Sequence, residues 1–305
     1  LTHEDAAASL EAFAELLEQG LTGTQLNAAI RRKFDVYESV GCDNRGTVLF
    51  TGYYTPIFDG SMEETAKFKY PLYKLPKDLL KGPDGIIQGR RMPDGGITPY
   101  PPRKEIEATG MLKGSELLYL ADPFEVYIAH VQGSAKIRLP DGELITVGYA
   151  ASNGHEYKSV SRAMLDARVL NGDKMSLSAM IDYFKRNPGK VAGYIEQNPR
   201  FVFFQNAQSQ PHGSINTPVT PMRTIATDKS VYPRACLAFV STTLPRTSGA
   251  STVHRRYNAF ALDQDTGGAI RAAGRCDIYM GVGDQAGKLA GQVYQEGKLY
   301  YLFLK

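Results

Sequence analysis

Apolar positions recur at three- and four-residue spacing in the first part of the chain, then shift to short alternating or contiguous runs bounded by Gly and Pro. Leu10, Phe13, Leu16 and Leu17 form a helical stripe that ends at Gly20, and Thr2 with Asp5 stands at capping-box spacing ahead of it. A second helix is predicted from Thr24, with Leu26, Ala29, Ile30 and Phe34 on one face. Val48-Leu49-Phe50 then leads as a strand into Thr51-Gly52-Tyr53-Tyr54-Thr55-Pro56, read as a Pro-closed turn. Residues 74–104 are rich in Pro, Gly, Lys and Asp and read as a long surface loop.

Strands are expected over 126–130 and 135–139, and Asp141-Gly142 marks a two-residue hairpin turn before Leu144-Ile145-Thr146-Val147. Helices are expected over 159–170 and 176–186, the second stopped by Asn187-Pro188-Gly189. A short helix and the run Phe201-Val202-Phe203-Phe204 follow, and the polar stretch 208–218 reads as a crossover between domains. The remainder is strands: 235–241, 257–262, 277–280, 292–294 and 298–304, the last two joined by a Glu296-Gly297 turn. Short strands with frequent Gly and Pro turns favour barrels over a parallel sheet with crossover helices.

Composition narrows the class. With 305 residues, 43% apolar and 22% charged, the chain is an ordinary globular sequence long enough for two domains. A net charge of +3 without any Lys/Arg run gives no basis for nucleic-acid binding. No apolar run reaches the length of a membrane span, and a start at Leu1 permits a trimmed signal or lipid anchor upstream. Cys42, Cys236 and Cys276 are too few and scattered for a metal site or disulfide framework; Cys276 reads as a small apolar filler. His130, His155, His212 and His254 lack metal-ligand spacing. Gly281-Val282-Gly283 lacks the third glycine of a dinucleotide fingerprint, and Gln132 and Lys136 stand where a nucleophile elbow around Ser134 needs glycines.

Two carboxylates stand out, in Asp265-Thr266-Gly267-Gly268-Ala269-Ile270 and in Asp277-Ile278-Tyr279-Met280-Gly281. Flanking apolar residues can bury a carboxyl and raise its pKa, as a proton donor at neutral pH requires. The same residues also suit turn-capping aspartates at strand ends. Asp263, two residues before Asp265, competes for its place because alternate strand residues share a face. Tyr53 and Tyr54 offer ring faces and hydroxyls suited to sugar, or simply pack across a strand.

These segments, together with Val131-Gln132-Gly133-Ser134, Gly148-Tyr149-Ala150, Asn153-Gly154 and Asn198-Pro199-Arg200-Phe201, occur in the order seen in the membrane-bound lytic transglycosylase A family, which the chain resembles from about residue 50 to its end. The C-terminal segment is similar to the small domain named for its three aspartates. The resemblance implies a mainly β fold with helices. A double-psi β-barrel domain would comprise 1–56 and 210–305 with the N-terminal helices, and a second, inserted β-barrel domain would span 57–209, with a groove separating the two.

It implies Asp277 as the catalytic acid, with Asp265 lining the same site. Thr51, Gly52, Tyr53, Tyr54, Thr55, Gln132, Gly133, Ser134, Gly267 and Gly268 would bind substrate. The implied reaction is cleavage of the β-1,4 bond between N-acetylmuramic acid and N-acetylglucosamine in peptidoglycan, forming a 1,6-anhydro end, with no cofactor and no metal. The implied partner is a peptidoglycan glycan strand and not nucleic acid. The implied setting is a monomer in the periplasm of a Gram-negative bacterium, held at the outer membrane by a trimmed N-terminal anchor. The competing readings are an inverting glycoside hydrolase on a β-1,4 glycan, with Asp265 as base, and a non-catalytic glycan-binding module. All of this requires an Asp277 that is not neutralised by a fixed cation deep in a wall.

Overall fold

Thr2 and Asp5 close a reciprocal capping box at 3.1 and 2.7 Å, and α1 (His3–Glu18) starts there. The computed structural model describes residues 2–83, 86–170, 176–207, 210–248 and 251–305. Next come α2 (Gly23–Lys33), β1 (Phe34–Glu38) and β2 (Val48–Thr55). The chain continues through β3 (Ile57–Ser61), β4 (Tyr70–Tyr73), β5 (Leu79–Lys81), β6 (Ile87–Arg91), β7 (Ile97–Thr98), α3 (Arg103–Thr109) and β8 (Glu116–Leu120). After them lie α4 (Pro123–Gln132), β9 (Ser134–Arg138), β10 (Leu144–Ser152), α5 (Val160–Asp166), α6 (Leu177–Arg186), α7 (Val191–Ile195) and β11 (Val202–Ala207). The last part holds β12 (Thr224–Ala226), β13 (Cys236–Ser248), β14 (Ser251–Asp265), β15 (Arg275–Val282), α8 (Gly283–Ala290) and β16 (Tyr294–Leu304).

These elements form two compact units, one of Leu1–Tyr54, His212–Gly281 and Gln285–Lys305, the other of Thr55–Pro211 and Val282–Asp284. In the first, strands follow the order β1-β16-β13-β14-β12-β15-β2, and β16 also pairs with β2 from Tyr294↔Thr51 to Gly297↔Val48. That second pairing closes six strands into a barrel and leaves β1 appended to the far half of β16. Closure removes the unpaired edges that an open sheet would expose. Outside the ring, Ala12, Phe13 and Leu16 of α1 share one apolar cluster with Ala29, Ile30, Leu237 and Leu302. Burial of each large apolar side chain contributes about 1.5–3 kcal/mol. Leu17 of the predicted stripe stays half exposed, since one residue on from Leu16 turns it away from the barrel.

The second unit holds the sheet β11-β10-β9-β3-β8-β4, and a parallel bridge between Lys74 and Phe204 brings its two outer strands together. Its core includes Phe58, Leu118, Phe124, Ile128, Ile137, Phe184 and Phe204. Arg103 is fully buried beside it: the guanidinium reaches Glu107 at 3.0 Å, His130 Nδ1 at 2.9 Å and the Arg200 carbonyl at 2.8 Å, between the Tyr127 and Phe201 rings. Burial, followed by the Arg103 charge, pushes the His130 pKa well down, so this histidine is a neutral acceptor in the framework.

Several expectations change. Residues 126–130 belong to a helix: Asp122 accepts the Phe124 N–H at 2.6 Å, Pro123 opens the first turn, and Phe124, Tyr127 and Ile128 recur at helical spacing on the buried side. The 74–104 stretch folds into the antiparallel sheet β5-β6-β7 and the start of α3, with Leu79 and Ile87 packed against Tyr100, Phe201 and Phe203; Asp84 and Gly85 lie outside the described residues.

The Asp141-Gly142 hairpin is a three-residue connection, closed by Leu139 N–H to Glu143 O at 2.8 Å with Gly142 at φ 91°. The helix expected over 159–170 spans only Val160–Asp166, with Ser159 as its cap. Gly297 is not a turn: β16 runs unbroken through it, because a Cβ there would lie 2.3 Å from the Ser241 carbonyl oxygen. The expected crossover begins at Gln208 and Ser209, which lie outside the described residues.

Candidate active site

β2 sorts its residues by alternation. Val48, Phe50 and Tyr54 are buried on one face, and on that face Gly52 admits α8, since a Cβ there would stand 2.8 Å from Ala290 Cα. Thr51 and Tyr53 point the other way, each to one acid. The Thr51 hydroxyl donates to Asp277 Oδ1, and the Tyr53 hydroxyl donates to Asp265 Oδ2 at 2.9 Å. The Thr51-Gly52-Tyr53-Tyr54-Thr55 segment is therefore strand rather than turn.

Sheet register brings the acids level. Ala226 of β12 pairs with Asp265 on one side and with Asp277 on the other, so the two backbones stand about 10 Å apart at the usual strand spacing. The register shift between Ile225/Asp263 and Ala226/Asp265 separates Asp265 from Asp263. Asp263 is fully buried, with Lys229 Nζ at 2.5 Å and the hydroxyls of Tyr301 and Thr227 donating at 2.6 and 2.7 Å. Asp263 is thus a strut of the barrel, and Asp265 keeps the outward position.

Asp265 is held by three donors: Ser214 N–H at 3.0 Å and Thr266 N–H at 2.8 Å on Oδ1, and Tyr53 on Oδ2. Burial still pushes its carboxyl up to about 6. At Asp277, 18% of the side chain is exposed and burial again raises the carboxyl, opposed by the Thr51 hydrogen bond and the Arg275 charge. Arg275 Nη2 donates to Thr51 at 3.2 Å and lies 3.8 Å from Asp277 Oδ1. That separation is long for an ion pair, and Arg275 is one-third exposed, so Asp277 is not neutralised by a cation sunk in a wall. The Tyr53 phenol is driven well up by burial first and then by the charges of Asp265 and Asp277, which links all three groups electrostatically.

Gly267 and Gly268 lie half-buried in the turn after β14; a Cβ on Gly267 would meet Ile270 Cδ1 at 3.2 Å. In the second unit, Gln132 ends α4, Gly133 caps it at φ 76°, and Ser134 opens β9, with its hydroxyl 3.3 Å from that of buried Thr55. Tyr54 is buried with its ring under Gly287. Arg275, Ser214 and Tyr279, whose ring lies 5.2 Å from that of Tyr53, escaped the sequence reading. Strand alternation two residues before Asp277 would have flagged Arg275 and two after it Tyr279; nothing local marks Ser214.

The fold and site define a β-barrel protein that carries two neighbouring carboxyls, Asp265 and Asp277, each raised by burial. The profile of the MltA specific insert domain matches residues 49–205, and that of the 3D domain residues 223–303. Membrane-bound lytic murein transglycosylase A of Escherichia coli K12 is 30% identical over 271 residues, covering 88% of this chain and 69% of that protein. Its Vibrio cholerae counterpart is 31% identical, covering 87% and 68%. The crystal structure of the membrane-bound lytic murein transglycosylase from Agrobacterium tumefaciens matches at TM-score 0.81 and 26% identity, over 98% of this chain and 84% of that one. The structure of E. coli MltA with bound chitohexaose matches at 0.79 and 27% identity, with the same coverage. The chain belongs to the membrane-bound lytic murein transglycosylase A family.

Proposed function

We infer that this chain is a lytic transglycosylase that cleaves the β-1,4 bond between N-acetylmuramic acid and N-acetylglucosamine in peptidoglycan and leaves a 1,6-anhydro end. The observation that carries the reading is Asp277, a carboxyl raised by burial, with one oxygen fixed by the Thr51 hydroxyl and its side chain still partly exposed. Protonated Asp277 donates to the glycosidic oxygen as the C1–O bond breaks and an oxocarbenium-like centre develops. The resulting carboxylate takes the proton of the muramoyl C6 hydroxyl while O6 bonds to C1. Asp277 ends protonated, as it began, and no water is consumed. Tyr53 and Asp265 form the adjoining wall, with Tyr53 as a sugar contact; Tyr54, buried under Gly287 on the other face of β2, does not serve as one.

Asp265 is poorly suited to the base of an inverting hydrolase, because its oxygens are already occupied by three donors. A mere binding module would have no use for a proton-holding Asp277. The parallel β12–β14 pairing supports a double-psi form for the barrel. The relatives' names support a membrane-associated setting, which we place at the outer membrane, facing the periplasm. Among the described residues no helix is long and apolar enough to cross a membrane. Mass spectrometry of a peptidoglycan digest tests the reaction: anhydro ends, lighter by one water than reducing ends, are expected, and reducing ends alone would refute it.

A further inference from the structure

The acid site continues into a cavity of about 460 Å³ on the same barrel, walled by Leu49, Arg271, Arg275, Tyr294 and Glu296. Register makes the two contiguous: Tyr294 pairs with Thr51 and Glu296 with Leu49, while Arg275 belongs to both. The Arg275 Nη2 group is engaged with Thr51, yet its Nε is buried without a hydrogen-bond partner among the described residues.

Arg271 stands on a fixed rim. Asp228 accepts the Ala272 N–H at 2.7 Å, and the Ala273 carbonyl accepts the hydroxyls of Tyr232 and Ser39 at 2.7 and 3.1 Å. These bonds hold Ala272 at φ 67°, a conformation unfavourable for a residue with a Cβ. Tyr294 is 71% exposed and presents a free ring face. Two guanidiniums in one cavity suit a carboxylate, whereas N-acetylated sugars alone offer them no charge.

We propose that this cavity binds the peptide carried by the muramoyl residue, with Arg271 and Arg275 taking a peptide carboxylate, Tyr294 packing on its aliphatic part and Glu296 facing an ammonium. The inference rests on the transglycosylase reading, since that reading supplies the glycan strand. A carboxylate also arises when the peptide is removed, on the lactyl group of denuded strands, so both sources are tested.

Affinities of Asp277→Asn and of Asp277→Asn/Arg271→Gln proteins are measured for peptide-bearing strands, amidase-denuded strands and chitohexaose. The expected result is about tenfold weaker binding of peptide-bearing strands by the double variant, with changes under about twofold for the other two. Equal weakening on peptide-bearing and denuded strands would overturn the peptide assignment in favour of the lactyl carboxylate. No change on any of the three would overturn the site itself. A wild-type digest without anhydro ends would instead sink the reaction assignment, whatever these affinities are.

Discussion

Asp277→Asn isolates the proton. The amide keeps the size of the carboxyl, and its oxygen still accepts the Thr51 hydroxyl, so β2 and β15 remain tied at the same point. It has no proton to give to a departing oxygen and no carboxylate to receive one back. General acid–base participation is worth about 100- to 10,000-fold in rate, or about 3–5 kcal/mol of transition-state free energy. Because Asp277 serves both half-reactions, the loss should sit at the upper end of that range. Stability should not follow activity. Burial disfavours the charged form of Asp277, so a neutral amide relieves that penalty at neutral pH and the melting temperature should hold or rise. The assay counts anhydro ends by mass spectrometry at fixed enzyme concentration, beside a thermal melt and a binding titration with glycan strands. Anhydro-end formation within about threefold of wild type would refute Asp277 as the acid.

Further outcomes follow from its neighbours. In Arg275→Gln a charge that favours ionised Asp277 is removed, so the alkaline limb of the pH–activity profile should move to higher pH; a shift to lower pH would contradict the assignment. Lys229→Met removes the cation that offsets the burial of Asp263 and leaves its carboxyl to two hydroxyl donors, a loss of about 3–5 kcal/mol. Calorimetry should show a melting point about 10 °C lower. The Asp265 carboxyl, raised from 3.8 to about 6, binds its proton more tightly folded than unfolded. Its contribution is therefore complete below about pH 4 and lost as pH rises through 6, about 3 kcal/mol in all. The stability difference between wild type and Asp265→Asn should slope across that window, and a flat difference would show that the carboxyl is not raised.

The sequence carried more of the reaction than of the architecture. Asp265 and Asp277 were legible because each sits in an apolar run closed by glycine, and the ordered segments around them resemble one family. The α1 capping box was legible because caps act over three residues. Errors came where a local signal met a distant one. Val126 to His130 looks like a strand until the Asp122-Pro123 cap is weighed, and Gly297 looks like a turn until β13 is seen to need the space of its missing side chain.

The 74–104 stretch read as loop because strands of two to five residues are too short to show a period. By itself the sequence determined which side chains are available for the chemistry and that barrels would hold them. Tertiary structure alone decided that Asp263 is a buried strut and Asp265 an outward acid, through a register shift beside β12. It also placed Thr51, Tyr53 and Arg275 on the carboxyls. Pairing between strands more than two hundred residues apart sets a carboxyl's burial and its donors, and no local pattern encodes that register.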